Sequence, residues 1–210
     1  MEMMIAKELL KINAVFLKPN DPFTWASGIK SPIYCDNRLT LSFPKTRELI
    51  EENLAKKVKE VYPEAEYIMG TATAGIAHAA LVANILRLPM GYVRSSNKAH
   101  GRNNVIEGKI IEGAKVVVIE DLISTGGSSV KVVNALKEVG FDVLGVVAIF
   151  SYNLEKGYKV FKENNTEYQA ISNYDVLIEA AVEEDYISKD DVNKLSEWKK
   201  DPTDESWMTK

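Results

Sequence analysis

Short apolar runs alternate with amphipathic windows along the middle of the chain. The runs that predict buried strands are Tyr67 to Met69, Met90 to Val93, Val116 to Ile119 and Val143 to Phe150. The windows that predict helices lie near Ile76 to Leu86 and Ser128 to Val139. Strands that alternate with helices form a parallel sheet covered on both faces. The pattern therefore predicts an α/β fold, and ligands in such folds bind at the carboxyl ends of the strands.

Helices are also predicted outside this alternating region. One helical face is indicated by the spacing of Ile5, Leu9, Ile12 and Phe16. Charges between these residues predict a helix docked on the body rather than a targeting segment. A second helix is predicted from about Phe43 to Val61, with Ser42 as its N-cap and Pro44 in its first turn. The prolines and glycine between these helices favour turns and short extended pieces, including Ile33 to Asp36. Ser188 to Lys210 predicts a helix with a polar tail.

The composition limits the classes of function. A chain of 210 residues with 46% apolar and 27% charged residues is expected to fold as one globular domain. Its 26 basic and 30 acidic side chains give a net charge of -4, so no nucleic-acid partner is expected and any anion must be held by a local cluster. The apolar runs are too short to span a membrane. Cys35 is the one cysteine, which suits a reducing compartment, so a soluble cytoplasmic protein is predicted.

Two acids and a glycine turn follow the third apolar run, in the segment VVVIEDLISTGGSS that begins at Val116. Glu120 and Asp121 are predicted at the carboxyl end of that strand, where adjacent carboxylates suit hydroxyl groups or a metal ion. Ser124 to Ser129 can expose consecutive backbone N–H groups at a helix N-terminus, which favours a bound phosphate. A phosphorylated sugar carries both the hydroxyl groups that suit the carboxylates and the phosphate that suits the N–H groups. The alternative is an ordinary strand-turn-helix with solvated acids and a capped helix.

The segment VVVIEDLISTGGSS resembles the phosphoribosyl pyrophosphate (PRPP) signature of type I phosphoribosyltransferases. FTWASGIKSPIYCDNR and YVRSSNKAHG are similar to segments of the orotate phosphoribosyltransferases, and the similarity covers nearly the whole chain. The resemblance implies one phosphoribosyltransferase domain over residues 1–210, with a central five-stranded parallel sheet flanked by helices. A hood would come mainly from residues 1–40 and the C-terminal segment. The implied reaction joins orotate and PRPP to give orotidine 5′-phosphate and diphosphate, in de novo pyrimidine biosynthesis, on a homodimer.

Two further loops are implicated. Gly70 to Gly75 form a strand-end turn of small residues whose amides suit an anion, unless the turn is small only for packing. The resemblance implies a pyrophosphate loop here, with a cis peptide near Ala72-Thr73. Relatives often carry lysine where this chain has Ala74, so charge in the loop must come from its backbone.

The stretch from Arg94 to Lys109 holds four cations and one acid, a net charge of +3 that leaves about -7 for the rest of the chain. The alternative is an ordinary solvated loop. The resemblance implies a mobile lid over residues 95–108 that closes on the active site, often that of the neighbouring subunit.

The resemblance also assigns roles to single residues. Catalysis falls to Lys98, His100 and Asp121. PRPP binding falls to Thr71, Ala72, Thr73, Arg94, Lys98, His100, Glu120, Asp121, Leu122, Ile123, Ser124, Thr125, Gly126, Gly127 and Ser128. Magnesium is the expected cofactor, held mainly through PRPP, with Glu120 and Asp121 as candidate ligands. His78 and Cys35 are expected to pack rather than to react.

Orotate is expected to contact Ser124, Tyr34 and Arg38, because an aromatic ring and a guanidinium suit a flat ring that bears a carboxylate. The alternative is a packed tyrosine with solvated cations. Relatives often carry lysine at the position of Ala26 and a base-contacting arginine near Tyr152. Since this chain lacks both, Arg38 is hypothesised to recognise the carboxylate.

Three rival functions remain open. A purine phosphoribosyltransferase would share the PRPP segment but not the N-terminal block FTWASGIKSPIYCDNR. A regulator that binds PRPP without turnover would need a DNA-binding extension or a broad basic face, and neither is visible. A generic phosphate-binding protein would leave the basic stretch unexplained.

Overall fold

The chain is described by a computed structural model that covers residues 1–25, 28–94 and 105–209. The strands, in chain order, are β1 (Val15–Leu17), β2 (Phe23–Thr24), β3 (Lys30–Ser31), β4 (Ile33–Cys35), β5 (Tyr67–Thr71), β6 (Met90–Val93), β7 (Ile106–Glu107), β8 (Lys115–Ile123), β9 (Asp142–Ser151) and β10 (Tyr168–Asn173). The α-helices are α1 (Glu2–Lys11), α2 (Pro44–Val61), α3 (Ala74–Leu86), α4 (Gly127–Glu138), α5 (Glu155–Glu163), α6 (Tyr174–Glu183) and α7 (Asp191–Lys200). Two short 3₁₀ helices cover Asn37–Ser42 and Ser206–Thr209.

The central sheet has six strands in the order β10-β9-β8-β5-β6-β7. The first five run parallel, as the resemblance implies, and β7 lies antiparallel to β6 at the edge. Neither β7 nor β10 is visible in the apolar pattern. The first has only two residues, and the second is half-buried over its first three positions.

Both faces of the sheet are covered by apolar layers, which explains the uninterrupted apolar runs of the central strands. Along β8, Val117 and Ile119 point into a core shared with α1, α2, α3 and α6. Val116 and Val118 point into a second core shared with α4. No helix within the described ranges is long and apolar enough to cross a membrane.

The structure corrects three boundaries. Helix α1 ends at Lys11, and Asn13 then adopts a left-handed conformation with φ of 55°, so Phe16 belongs to strand β1 and not to the helix. Helix α2 is preceded by Phe43, not Ser42, at its N-cap position. Strand β8 continues to Ile123, because β9 keeps pairing with it, so the two acids lie inside the strand and not after its end.

Two small antiparallel pairs form beside the carboxyl edge of the sheet, β1 with β4 and β2 with β3. Trp25, next to β2, stacks on Tyr152 just after β9, with ring centroids 5.7 Å apart. Trp198 of α7 meets the same Trp25 edge-on and donates its Nε1–H to the carbonyl of Lys30 at 3.0 Å. The C-terminal helix therefore packs against the N-terminal strands.

Candidate active site

The carboxyl ends of β5, β6 and β8, together with helix α4, border one cavity of about 640 Å³ at the carboxyl edge of the sheet. Its lining includes Thr71, Ala72, Thr73, Arg94, Glu120, Asp121, Leu122 and Ser128. The structure therefore brings together residues from the three segments that the sequence singled out. Thr125 lines a separate cavity of about 330 Å³ beside Lys156 and Lys159. The Ile123 side chain is buried in the apolar layer under α4.

Glu120 is buried at the centre of this arrangement, and both of its carboxyl oxygens accept hydrogen bonds from the protein. Oε1 accepts from Thr71 Oγ1 at 2.6 Å and from the backbone N–H of Asp121 at 3.0 Å. Oε2 accepts from Ser129 Oγ at 2.8 Å. Glu120 thus joins the loop after β5 to the first turn of α4. Ser129 is absent from the residues predicted from sequence, since only the fold brings it to Glu120.

Burial, and after it the neighbouring Asp121 carboxyl, raise the pKa of Glu120, which lies at about 7. The hydroxyl groups of Thr71 and Ser129 oppose this shift by donating to the charged form. Two adjacent acids in one strand point to opposite faces, so Glu120 is enclosed while Asp121 is only half-buried.

The turn before α4 is built to receive an anion. Gly126 has φ of 77°, and a Cβ there would lie 2.9 Å from the Phe161 ring, so a side chain is excluded. Helix α4 then starts at Gly127 with no side chain capping it. The N–H groups of a first helical turn have no partner within the helix. They carry the positive end of the helix dipole, which attracts phosphate.

The turn after β5 contains the cis peptide bond that the resemblance places at Ala72-Thr73, so that prediction is confirmed. The N–H of Ala72 donates to the Val93 carbonyl at 3.0 Å, which ties the turn to β6. A Cβ on Gly75 would lie 2.6 Å from the Ile119 carbonyl oxygen, so α3 starts in close contact with β8.

Arg94 stands at the end of β6 on the cavity wall. Its Nε lies 3.1 Å from Glu107 Oε1, and its N–H donates to the Val105 carbonyl at 2.9 Å. The next ten positions lie outside the described residues, and they include Lys98, His100 and most of the predicted lid. Ala26 also lies outside the described residues.

Of the three residues expected to contact orotate, Ser124 directly follows β8, whereas Tyr34 and Arg38 lie on and beside β4. The Tyr34 ring is 42% exposed and lies 5.6 Å from the Phe23 ring. Arg38 forms a two-pronged ion pair with Asp36, in which Nε and Nη2 donate at 2.6 and 2.8 Å. This pair lowers the pKa of Asp36. Tyr152, where relatives are expected to carry a base-contacting arginine, is a buried ring against Trp25.

His78 and Cys35 have no arrangement for chemistry. His78 is fully buried on α3, and burial lowers its pKa to about 4, so the prediction that it packs is confirmed. Burial raises the pKa of the Cys35 thiol well above its usual value. Within the described ranges, no three His, Cys, Asp or Glu side chains form a group that could hold a metal ion.

Comparison with known proteins agrees with this geometry. The phosphoribosyl transferase domain family matches residues 42–186. The orotate phosphoribosyltransferase of Listeria innocua is 60% identical over 201 residues, which cover 96% of each chain. That of Enterococcus faecalis is 60% identical over 97% of this chain and 96% of its own. The crystal structure of orotate phosphoribosyltransferase from Aeropyrum pernix superposes with a TM-score of 0.76 at 26% identity, covering 88% of this chain and all of the other. The chain therefore belongs to the orotate phosphoribosyltransferases, within the phosphoribosyl transferase domain family.

Proposed function

We propose that this chain transfers the phosphoribosyl group of PRPP to orotate, giving orotidine 5′-phosphate and diphosphate for pyrimidine synthesis. The observation that carries the proposal is the cavity bordered by the acid pair, by Ser128 in the first turn of α4 and by the turn after β5. Each of these features complements one part of PRPP. The hydroxyls of the sugar suit Asp121, and the 5′-phosphate suits the N–H groups of Ser124 to Ser128. The pyrophosphate suits the turn after β5 at Thr73, since the Ala72 N–H already donates to the Val93 carbonyl.

Breaking the bond between the anomeric carbon and pyrophosphate leaves positive charge on the sugar and negative charge on the leaving group. A site promotes this step when fixed dipoles and cations already face the places where charge develops. The Asp121 carboxylate would stabilise the sugar side and hold its hydroxyls. The turn after β5 would face the leaving oxygens. Glu120, whose oxygens are taken up by Thr71, Ser129 and Asp121 N–H, would fix the positions of these groups and not bind the sugar itself.

Magnesium fits this site as an ion carried by the substrate. It would neutralise the charge of the pyrophosphate oxygens as they leave. Hard oxygen ligands suit Mg²⁺, and it often reaches enzymes through one or two carboxylates and the phosphates of the substrate. Asp121 is the carboxylate that lines the cavity while only half-buried, and Glu120 beside it is already hydrogen-bonded.

The basic stretch from Arg94 to Lys109 would add cations to the site. Lys98 and His100 would stabilise the leaving pyrophosphate, and a lid over residues 95–108 would keep water from the activated sugar. Arg94 lines the cavity already and would exchange its contact with Glu107 for the leaving group. We place this lid over the site of a partner subunit in a homodimer. The hood of residues 1–40 and the C-terminal segment would enclose orotate within the same domain.

Orotate would stack on the exposed Tyr34 ring, with its carboxylate on Arg38 and its ring edge near Ser124. The ion pair with Asp36 uses Nε and Nη2 of the guanidinium. A guanidinium has five N–H donors, so Nη1 still has both of its donors to offer to a carboxylate. Asp36 would then orient Arg38 and keep its plane fixed.

The direct test is loss of orotate absorbance when PRPP is added to the purified protein, with and without Mg²⁺. Turnover that requires Mg²⁺ supports the proposal. Adenine, guanine and hypoxanthine in parallel reactions test the purine alternative. A protein that binds PRPP but turns over no base would be a regulator, and the proposal would be wrong.

Arg38→Ala tests the assignment of the orotate carboxylate. Loss of one charge-assisted contact is expected to raise the KM for orotate about tenfold or more, while the KM for PRPP stays near its wild-type value. Lys18→Ala is a matched control, since Lys18 is another exposed cation of the N-terminal segment and forms an ion pair with Asp21 at 3.5 Å. An unchanged KM for orotate in Arg38→Ala would contradict the assignment of Arg38 to the orotate carboxylate.

We place the protein in the cytoplasm, because its single cysteine suits a reducing compartment. Fractionation of cells, with an antibody against this chain, tests that placement.

A further inference from the structure

Asn37 is a buried side chain that connects the strand carrying Tyr34 to the strand carrying Asp121. It is the first residue of the 3₁₀ helix that follows β4, and it is fully buried. Its Nδ2 donates to the backbone carbonyl of Asp121 at 2.7 Å, across 84 positions of sequence. Asn37 lies within the segment FTWASGIKSPIYCDNR, but no role was assigned to it from the sequence.

The carbonyl of Asp121 needs a donor from outside the sheet on one side. The pairing of β5 with β8 ends at Gly70 opposite Ile119, two residues before Asp121. Beyond that point the chain of β5 turns into the loop at Thr71 to Thr73. A backbone carbonyl at such a position must be bonded by another group or lose free energy. The Asn37 amide supplies that bond.

Asn37 is itself held on two sides, so its amide is a fixed donor. Thr40 Oγ1 donates to the Asn37 carbonyl at 2.6 Å and lies 3.4 Å from His78 Nε2 on α3. The preceding residue, Asp36, donates its N–H to the Ala14 carbonyl at 2.7 Å, which ties the segment to the chain just before β1. The connection therefore reaches from the N-terminal strands to β8 and α3.

The Asn37 side chain does not have a complete set of hydrogen bonds. Asn37 Oδ1 is buried and has no partner among the described residues. A buried acceptor without a partner is unfavourable, and an apolar residue of similar shape would remove that cost. The bond from Nδ2 to Asp121 is thus the contact that distinguishes asparagine from leucine at this position.

We propose that Asn37 is a positioning residue that fixes the carboxylate of Asp121 relative to the base-stacking surface at Tyr34. This inference rests on the proposed function, since it assigns orotate to Tyr34 and the ribose to Asp121. The reaction requires the attacking ring nitrogen and the anomeric carbon to meet in line. A misplacement of about 1 Å can cost on the order of a hundredfold in rate. A bond that joins the supports of the two substrates therefore acts on the rate more than on binding.

Asn37→Ala is expected to lower kcat on the order of 10- to 100-fold, while the KM values for orotate and PRPP change by less than about threefold. Asn53→Ala is the matched control, because Asn53 Nδ2 also donates to a backbone carbonyl at 2.7 Å, that of Leu49, but on helix α2. The control is expected to keep its wild-type kcat. Thermal unfolding of both variants separates a loss of rate from a loss of fold.

Asn37→Asp provides a second variant of the same size, should Asn37→Ala not fold. A protonated carboxyl can donate to the Asp121 carbonyl and an ionised one cannot. The acidic groups nearby are Asp36, Glu120 and Asp121, and the basic ones are Arg38 and His78. The ratio of variant kcat to wild-type kcat is expected to rise as the pH is lowered, which a purely structural role would not produce.

The outcomes are distinguishable. An active wild type together with an unchanged kcat in folded Asn37→Ala, or a flat ratio in Asn37→Asp, overturns the inference alone. A wild type that does not consume orotate overturns the proposed function and this inference with it. A lowered kcat in Asn53→Ala equal to that in Asn37→Ala would also count against a positioning role.

Discussion

Glu120 and Asp121 are neighbours in sequence but lie in different surroundings. The sequence predicts one shared role for them, since both carboxylates follow a buried apolar run. In the structure both line the cavity, but Glu120 is buried and hydrogen-bonded to Thr71 and Ser129, whereas Asp121 is only half-buried. Strand alternation could have suggested opposite faces. The partners of Glu120 could not be predicted, because Ser129 approaches it only after α4 has packed on the sheet.

Replacement of Glu120 by glutamine should change how stability depends on pH. Because burial raises the pKa of Glu120 from its usual 4.5 to about 7, the folded state binds more protons than the unfolded state between these values. The Glu120 contribution to the free energy of unfolding must then fall as pH rises across that window, by about 3 kcal/mol. Glu120→Gln retains acceptors for Thr71 and the Asp121 N–H and removes the titration.

Because the pKa of His78 is also shifted by folding, the effect of Glu120 must be measured as the difference in stability between the wild type and Glu120→Gln. Burial lowers its pKa from the usual 6.5 to about 4, so its contribution to stability rises as pH increases over that range. This opposes the trend from Glu120. Urea unfolding of wild type and Glu120→Gln from pH 4.5 to 7.5 cancels the shared His78 effect. The stability of the wild type relative to the variant should fall with rising pH, and parallel curves would contradict the assignment.

At the scale of elements, the alternating core could be predicted from sequence and the edges of the molecule could not. Strand β6 has the bounds that its apolar run predicts, and α3 and α4 lie within two residues of prediction. Strand β10 could not be predicted from sequence, because its first three residues are only half-buried and do not form an apolar run. The contacts of Trp198 with the N-terminal strands could not be predicted from sequence either, because the partners are more than 160 positions apart.

The close contact of α3 with β8 can be tested at Gly75. In Gly75→Ala the new methyl group would meet the Ile119 carbonyl oxygen at 2.6 Å, so the helix must shift away from the sheet. Overpacking of this kind costs about 1–3 kcal/mol and should lower the Tm by about 3–10 °C. Gly127→Ala is the matched control, since no atom lies within 4 Å of its Cβ position. Equal Tm values for the two variants would show that the contact is not tight.

At the scale of the whole molecule, charge is distributed unevenly. The whole chain has a net charge of -4, but the segment from Arg94 to Lys109 carries +3, and this segment begins on the cavity wall. Composition alone gives no indication of an anion site, because the acids elsewhere in the chain mask the basic stretch.

Mixed subunits test whether the lid crosses between subunits. Lys98→Ala and Asp121→Ala are each expected to lower activity strongly, because one removes a lid cation and the other the carboxylate of the cavity. If the lid acts on the partner, a randomly mixed dimer of the two variants contains one intact site. Mixing equal amounts after reversible unfolding should then restore about a quarter of wild-type activity. A mixture no more active than its components would place the lid over its own site.

Strand β7 returns the chain to β6 at the point where it left. Val93 pairs with Ile106, and the N–H of Arg94 donates to the Val105 carbonyl, so the two ends of the intervening segment are held side by side. Doubling the length of a flexible loop between fixed ends costs only about 0.6 kcal/mol. Because these two ends are fixed by the sheet, insertions between them are expected to change the free energy of folding little, whatever they do to turnover.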